Sequence, residues 1–390
     1  MATPESSDWI MIEKEVDETG HGQTGLAVDA ELDLCFICDC TGSMGQYIKA
    51  AQENIQSIVT KISGHGEKVR FGLISYRDHP PQDSTFVTQC HPFTENLETM
   101  RQYVDTMRAN GGGDGPEAVT AALFEALSLP WRPNATKICV LIADAPPHGL
   151  EPSGDGFPNG DPDGRDPLEI LRDMATLGIT VYTVGCEPAL GAYHFARDFL
   201  CNVAEVTGGQ AVALSSAAML ADVIINGSAE EIGLSKLQRQ VEEEVLKVQT
   251  EARSAGHNIS TEASVTAAVA SLQARGLTSV QMETDGRMTN ATKPCWGNVL
   301  EKKSLAKVKE ELGKFAATVP SAEILPSCLR SARLPGPSMP RGYAGASAPP
   351  VLSGLSAPTS AKTNLLKTDL ISGEQVSRIV QRAQCQNRLL

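Results

Sequence analysis

No stretch of this 390-residue chain is apolar enough to cross a bilayer. Runs such as Val140-Leu141-Ile142-Ala143 fall far short of the roughly 20 residues that a spanning helix needs. The first residues, Met1-Ala2-Thr3-Pro4-Glu5-Ser6-Ser7-Asp8, lack the basic and apolar regions of a secretory signal. There is no Gly-X-Y period, which excludes a collagen-like fibre. With 41% hydrophobic and 21% charged residues, the chain is not wholly disordered. The 10 cysteines are neither dense nor paired in a pattern, which fits a reduced, cytoplasmic compartment. Basic residues are scarce in the body. Residues 1–290 carry 19 Lys and Arg against 41 Asp and Glu, whereas residues 291–390 carry 14 against 6. An acidic body with a mildly basic tail disfavours nucleic-acid binding.

Residues 1–29 are polar and acidic and read as a flexible lead-in. Leu32–Cys38 is then an apolar run broken only by Asp33, which suits a strand buried on both faces. Apolar residues from Met44 to Ile62 recur at helical spacing, with Gly64 as a stop. Val69–Tyr76 and Thr85–Gln89 read as strands around an Asp78-His79-Pro80-Pro81 turn. A helix follows over Leu97–Met107. Pro116 is placed as the first residue of a third helix reaching Leu127, and Ile138–Ala143 is another buried strand. Pro146–Arg165 is a loop rich in Gly, Pro and Asp, long enough to be functional or mobile. Asp166-Pro167-Leu168-Glu169 opens the next helix, followed by a strand over Ile179–Gly185 and a helix over Phe195–Val206. Gln210–Leu214 and Met219–Ile225 give a last strand and helix. This alternation implies an α/β fold over residues 30–227. The sheet is doubly wound, mostly parallel and Rossmann-like, with its second and third strands as an antiparallel edge hairpin.

Residues 228–316 read as a helical extension. Ile232, Leu234, Leu237, Val241, Val245 and Val248 line one face of a long helix. That face fits either packing on the sheet domain or a coiled-coil contact with a partner through residues 230–250. Further helices are expected over Thr261–Arg275 and Glu301–Phe315. Residues 317–390 read as a largely disordered tail, with a short helix allowed over Gly373–Arg388. Residues 331–362 hold six Pro, four Gly, six Ser and six Ala, too little apolar surface to offset ordering.

The first strand ends at Asp39, followed by Cys40-Thr41-Gly42-Ser43-Met44-Gly45 and a helix. Sites in open α/β sheets lie at the carboxyl ends of strands. Asp39, Thr41 and Ser43 therefore project from one loop at that edge. A carboxylate and two hydroxyls are hard oxygen ligands that suit Mg²⁺ or Mn²⁺. Two further loops reach the same edge, Gly111–Glu117 and Asp144-Ala145-Pro146, and add Asp114 and Asp144 as candidate metal ligands. The competing reading is that Thr41 or Ser43 caps the next helix while Asp39 supports the turn.

Asp39-Cys40-Thr41-Gly42-Ser43 resembles the D-x-[ST]-x-S signature of the von Willebrand factor type A domain. Gly111-Gly112-Gly113-Asp114 is similar to its G-G-x-T loop, and Asp144 to its later strand-end aspartate. Together they resemble the family's metal-ion-dependent adhesion site. Tyr76-Arg77-Asp78-His79-Pro80-Pro81, Gly112-Gly113-Asp114-Gly115-Pro116-Glu117-Ala118 and Asp144-Ala145-Pro146-Pro147-His148-Gly149 resemble the subgroup found beside α-kinase domains. The resemblance covers residues 30–230. It implies the fold, a bound divalent cation and a protein partner held near the metal-site loops. Asp114 stands where the family has Thr. Three carboxylates then outnumber the two charges of the ion, so a tightly held, structural ion is expected, with a partner engaging through neutral or basic groups. No α-kinase catalytic signature occurs in the rest of the chain, and no enzymatic activity is expected. The alternative is a regulatory or catalytic component of a phosphotransfer or metal-dependent hydrolase system.

Other chemistries fit this loop poorly. A haloacid-dehalogenase phosphatase needs a second Asp where Thr41 stands. The Gly-Lys-Ser/Thr of a P-loop and a dinucleotide fingerprint are missing there. Thr41–Gly45 mimics a nucleophile elbow with His148 or His194 downstream, but no earlier strands exist to build its oxyanion loop. Cys35 and Cys38 point to opposite faces of a strand and cannot share a zinc ion. Asn159–Gly164 copies the start of an EF-hand, yet its twelfth position is Ile170, so turn chemistry is expected. His79, beside two prolines, is expected to fix its loop.

Overall fold

The computed structural model describes residues 31–63, 68–284, 286–297, 301, 303–318 and 365–389. Strand β1 (Glu31–Asp39) is buried from Leu32 onward. Cys35 and Ile37 face one core layer, and Leu34, Phe36 and Cys38 the other. Two-sided burial is why its apolar run is nearly continuous. Strands β2 (Lys68–Tyr76) and β4 (Thr136–Ala143) flank it in parallel. An antiparallel β3 (Thr88–Thr94) lies outside β2, and parallel β5 (Ile179–Cys186) and β6 (Ala211–Leu214) extend the other side. The order β3-β2-β1-β4-β5-β6 changes its direction of growth between β1 and β4. Such a switch point opens a crevice at the carboxyl edge of the sheet.

Helices α1 (Gly45–Ser63), α2 (Leu97–Thr106) and the start of α6 (Leu220–Ser254) cover one face. The other is covered by α3 (Val119–Leu127), α4 (Pro167–Thr176) and α5 (Ala196–Thr207). Trp296 of α8 (Lys293–Trp296) and Val308 and Leu312 of α9 (Leu305–Thr318) join that second layer. The doubly wound sheet and the helical C-terminal region are as the sequence implies.

Asp33, the break in the β1 run, is fully buried. Arg70 Nε donates to its Oδ1 (2.8 Å) and Arg70 Nη2 to its Oδ2 (2.7 Å), while Arg132 Nε and backbone N donate at 2.8 Å each. Burial alone would raise this carboxyl. The bonds from Arg70 and Arg132 outweigh it and hold Asp33 below the ordinary carboxylate range. Replacing Arg132 by Ala should cost about 1.5–3 kcal/mol at pH 7, the range for hydrogen bonds to a charged group. Folding lowers this acid's pKa, so the stability it contributes is present above about pH 4 and fades as pH falls through the folded value. Urea unfolding at pH 7 and pH 3 checks this; an equal penalty at both values would contradict it.

Several elements depart from expectation. The third helix begins at Val119, not Pro116. Glu117 N donates to Pro146 O (3.0 Å) and Ala118 N to Arg77 O (2.9 Å), bonds that hold this segment out of a helix. Strand β3 starts at Thr88 rather than Thr85, because Thr85 N and hydroxyl are tied to Asp83. The expected boundary at 227/228 is not a break, since α6 runs through Gly227. A Cβ there would meet the Tyr182 ring at 3.1 Å, so glycine lets the helix lie against the sheet. The 230–250 stripe is not open to a coiled-coil partner. Leu234, Val241 and Val245 are buried against α7 (Thr261–Ala274) and α10 (Gly373–Cys385).

The short helix allowed over Gly373–Arg388 is present, and a strand precedes it. Strand β8 (Leu365–Leu370) pairs antiparallel with β7 (Thr278–Glu283), and α10 starts at a Ser372 capping box. The reason is electrostatic as well as apolar. Arg378 of α10 pairs with Glu230 (3.3 Å) and Glu231 (2.9 Å) of α6, and Arg382 also pairs with Glu231. Residues 1–29, Gly64 and the Pro/Ser/Ala-rich 331–362 lie outside the described residues.

Candidate functional site

Asp39 ends β1 and Asp144 follows β4, so these two acids flank the switch point. Asp39 is fully buried. Its Oδ1 accepts from Thr41 N (2.8 Å) and Thr41 Oγ1 (2.7 Å), and Thr41 Oγ1 lies 3.3 Å from Ser43 Oγ. Ser43 lies close enough to Asp144 to work against the rise that burial imposes on that carboxyl. Thr41 sits at the N-cap of the following turn yet makes no capping bond; its hydroxyl is turned toward Asp39 instead. The capping reading therefore fails for Thr41.

The acids at this edge disturb one another. Burial, then the charge of Asp144, push Asp39 up to about 7. Burial also raises Asp144. Glu117 is pushed up to about 11, by burial first and then by Asp39, Asp78, Asp114 and Asp144. The glycine loop brings it there. Gly111 and Gly112 adopt φ of 79° and 80°, a region that disfavours any side chain. A Cβ on Gly112 would lie 2.7 Å from Glu117 Oε1 and 3.3 Å from Thr41 Cβ.

Asp114 belongs to a different group. Its Oδ2 accepts from Gly156 N. Burial first, and Asp78 beside it, push Asp114 up to about 6 against the pull of the Gly156 bond and of His148. Ligand atoms of Asp78, Asp114 and His148 all lie within 4.8 Å of one another. His148 Nε2 is 2.6 Å from Asp78 Oδ1, and its Nδ1 is 2.9 Å from Asp155 Oδ1. Burial opposes a charge on this ring, but Asp155 and Asp78 outweigh burial and push it up to about 9.

The long 146–165 loop is tied down over this group. Asp155 also accepts from Gly149 N (2.7 Å) and Phe157 N (2.8 Å). Glu151 accepts from His194 N (3.1 Å) and Phe195 N (3.0 Å), anchoring the loop at the start of α5. Asp161, in the EF-hand-like run, accepts from Asp163 N (2.9 Å) in a local turn, and its Oδ2 faces His79 Nε2 at 3.4 Å. His79 thus fixes this loop to its own.

Asp39, Thr41, Ser43 and Asp144 are therefore brought together, while Asp114 stands with Asp78 and His148. Glu117, Asp78, His148 and Asp155 are not among the metal ligands that the sequence suggests. Glu117 lay three residues beyond Asp114 in the same motif, and His148 four beyond Asp144. Buried oxygens without a hydrogen-bond partner include Asp39 Oδ2, Glu117 Oε2 and Thr120 Oγ1. Leaving such atoms unpaired is costly. A set of carboxylates and hydroxyls is a hard-oxygen donor set, and it fits Mg²⁺ or Mn²⁺.

Residues 33–208 match the model of the von Willebrand factor type A domain family. This part of the chain is a von Willebrand factor type A domain. The nature of the subgroup follows from its relatives. Over 177 residues the chain is 34% identical to the alpha-protein kinase vwkA of Dictyostelium discoideum, an alignment covering 44% of this chain and 28% of that protein. Over 194 residues it is 29% identical to an ariadne-like RING finger protein of Acanthamoeba polyphaga mimivirus, covering 48% and 18%. The matched stretch is thus less than a third of the length of either relative. A solved von Willebrand factor type A structure from Catenulispora acidiphila superposes with a TM-score of 0.37 at 17% identity, over 52% of this chain and 43% of that one. The resemblance to domains found with α-kinases holds for this region.

Proposed function

We propose that this domain is a divalent-cation-dependent protein-binding module. Asp39, Thr41, Ser43 and Asp144 would hold the ion, with Glu117 taking the part that the sequence pattern assigns to Asp114. The observation that carries this reading is the pair of orphaned, buried carboxylate oxygens, Asp39 Oδ2 and Glu117 Oε2. The ion supplies positive charge that joins loops otherwise driven apart by their acids. Mg²⁺ is the proposed resident, with Mn²⁺ as a substitute, and the setting is cytoplasmic. Asp78, Asp114 and Asp155 add further negative charge nearby, so the partner engages through neutral or basic groups. The likeness to an alpha-protein kinase favours a second reading, a regulatory component of a phosphotransfer system.

Calorimetric titration of the EDTA-stripped chain with Mg²⁺ tests the first part. Binding is expected in the wild type and none in Asp39→Ala. Immobilised wild type and Asp39→Ala, each with and without EDTA, then test the second. Specific protein retention is expected only on the wild type with cation present, and a basic peptide should bind better than an acidic one. Metal-dependent retention of the acidic peptide would overturn the charge argument.

A further inference from the structure

We infer that Asp78, Asp114 and His148 form a second cation site, separate from that of Asp39, that takes a first-row transition-metal divalent ion. Asp78 is fully buried, and its Oδ2 has no hydrogen-bond partner. Asp114 Oδ1 is likewise buried and unpaired. Both belong to the group whose ligand atoms lie within 4.8 Å of one another. Two free carboxylate oxygens beside an imidazole nitrogen make a mixed N/O donor set. Imidazole suits Zn²⁺ and its first-row neighbours, whereas the oxygen-only set at Asp39 suits Mg²⁺.

The surroundings are those of a ligand histidine. Asp155 Oδ1 lies 2.9 Å from His148 Nδ1 and accepts its proton, which leaves Nε2 directed at Asp78. A carboxylate behind a histidine in this way fixes the tautomer and strengthens the ligand nitrogen. Asp155 is itself held by Gly149 N and Phe157 N, so the ring cannot swing freely. Phe157 stands edge-on to the His148 ring at 4.8 Å and to His79 at 5.7 Å, an apolar cover over the group. On binding, the ion displaces the Nε2 proton of His148, which leaves to solvent. The site joins the end of β2, the glycine loop and the long 146–165 loop, so its ion would clamp the loop that covers this edge.

Mn²⁺ reports on the nitrogen. The full chain, stripped with EDTA and returned to millimolar Mg²⁺, is titrated with Mn²⁺ and examined by pulsed electron paramagnetic resonance. Bound Mn²⁺ with ¹⁴N modulation is expected in the wild type. The modulation should persist in Asp39→Ala and vanish in His148→Gln. Absence of ¹⁴N modulation in the wild type, its survival in His148→Gln, or its loss in Asp39→Ala would each overturn the proposal. Should His148→Gln lose its cooperative melt, Asp114→Asn decides. A drop in Mn²⁺ affinity of about 10–100-fold supports the site, the range for disturbed metal shells, and unchanged affinity refutes it.

Discussion

Magnesium at a hundredfold excess over its Kd should raise the unfolding free energy of the wild-type chain by about 2.7 kcal/mol and leave Asp39→Asn unmoved. The argument is one of charge. Asp39, Glu117 and Asp144 are buried together, and Asp39 Oδ2 and Glu117 Oε2 lack partners. Without an ion, burial first and then neighbouring acids raise the proton affinity of Asp39 and Glu117, which is the sign of a site that resists carrying its full negative charge. An ion that binds only the folded chain supplies what is missing and stabilises by mass action. Asp39→Asn keeps the shape of the side chain and an acceptor for Thr41, and removes one negative charge. In EDTA it should therefore be at least as stable as the wild type. A purely structural turn would behave in the opposite way, with Asp39→Asn destabilised equally with and without cation. Thermal melts of both proteins in EDTA and in millimolar Mg²⁺ separate the two. Coincident wild-type curves in EDTA and Mg²⁺ would sink the metal assignment.

The second large effect is expected far from that edge. Arg378→Ala should lower stability by about 3–5 kcal/mol, the usual cost of breaking a buried ion pair by removing one partner. Arg378 Nε donates to Gly208 O (2.7 Å), and its Nη2 donates to Tyr182 OH (2.7 Å) and Glu231 Oε2 (2.9 Å). Glu230 and Glu231 are 2% and 0% exposed; Glu231 keeps Arg382, but Glu230 loses its paired cation where water cannot reach it. Gln375 Nε2 also donates to Glu230 Oε1 (2.8 Å) and Val280 O (2.9 Å), tying α10 to both α6 and β7. Adding Glu230→Gln to Arg378→Ala should recover part of the loss, because the acid that lost its paired cation is then neutral, while Glu231 keeps Arg382. Urea unfolding of the single and double variants checks this. A loss below about 1 kcal/mol for Arg378→Ala, the scale of an exposed pair, would show that α10 is only loosely docked.

What could be read from the sequence was local. Asp39, Thr41 and Ser43 lie within one strand–loop–helix segment, and the run before them is apolar on both faces. Asp144 follows another such strand directly. Glu117 escaped because Pro116 suggested a helix start, while the backbone there is held by Pro146 O and Arg77 O from two other loops. Asp114 looked like a partner of Asp39 by its place in a motif. Its neighbours, Asp78 and His148, come from loops more than 30 residues away on either side.

The C-terminal part shows the same division more sharply. Arg378 and Arg382, on a polar helix near the chain end, look like surface charges until Glu230 and Glu231 are placed beneath them. Thr278 and Leu370 are paired across 92 positions, and β8 has no alternation that announces a strand. The order of strands and helices, the doubly wound sheet and the edge at which its loops converge are legible in the residues alone. Hydrophobic periodicity and turn chemistry act over a few residues and are written in the chain. Which acids share a site, and the return of residues 365–389 onto α6, are set by packing instead. Those outcomes depend on burial and on the meeting of charges distant in sequence, terms whose sign is set by what lies across the gap.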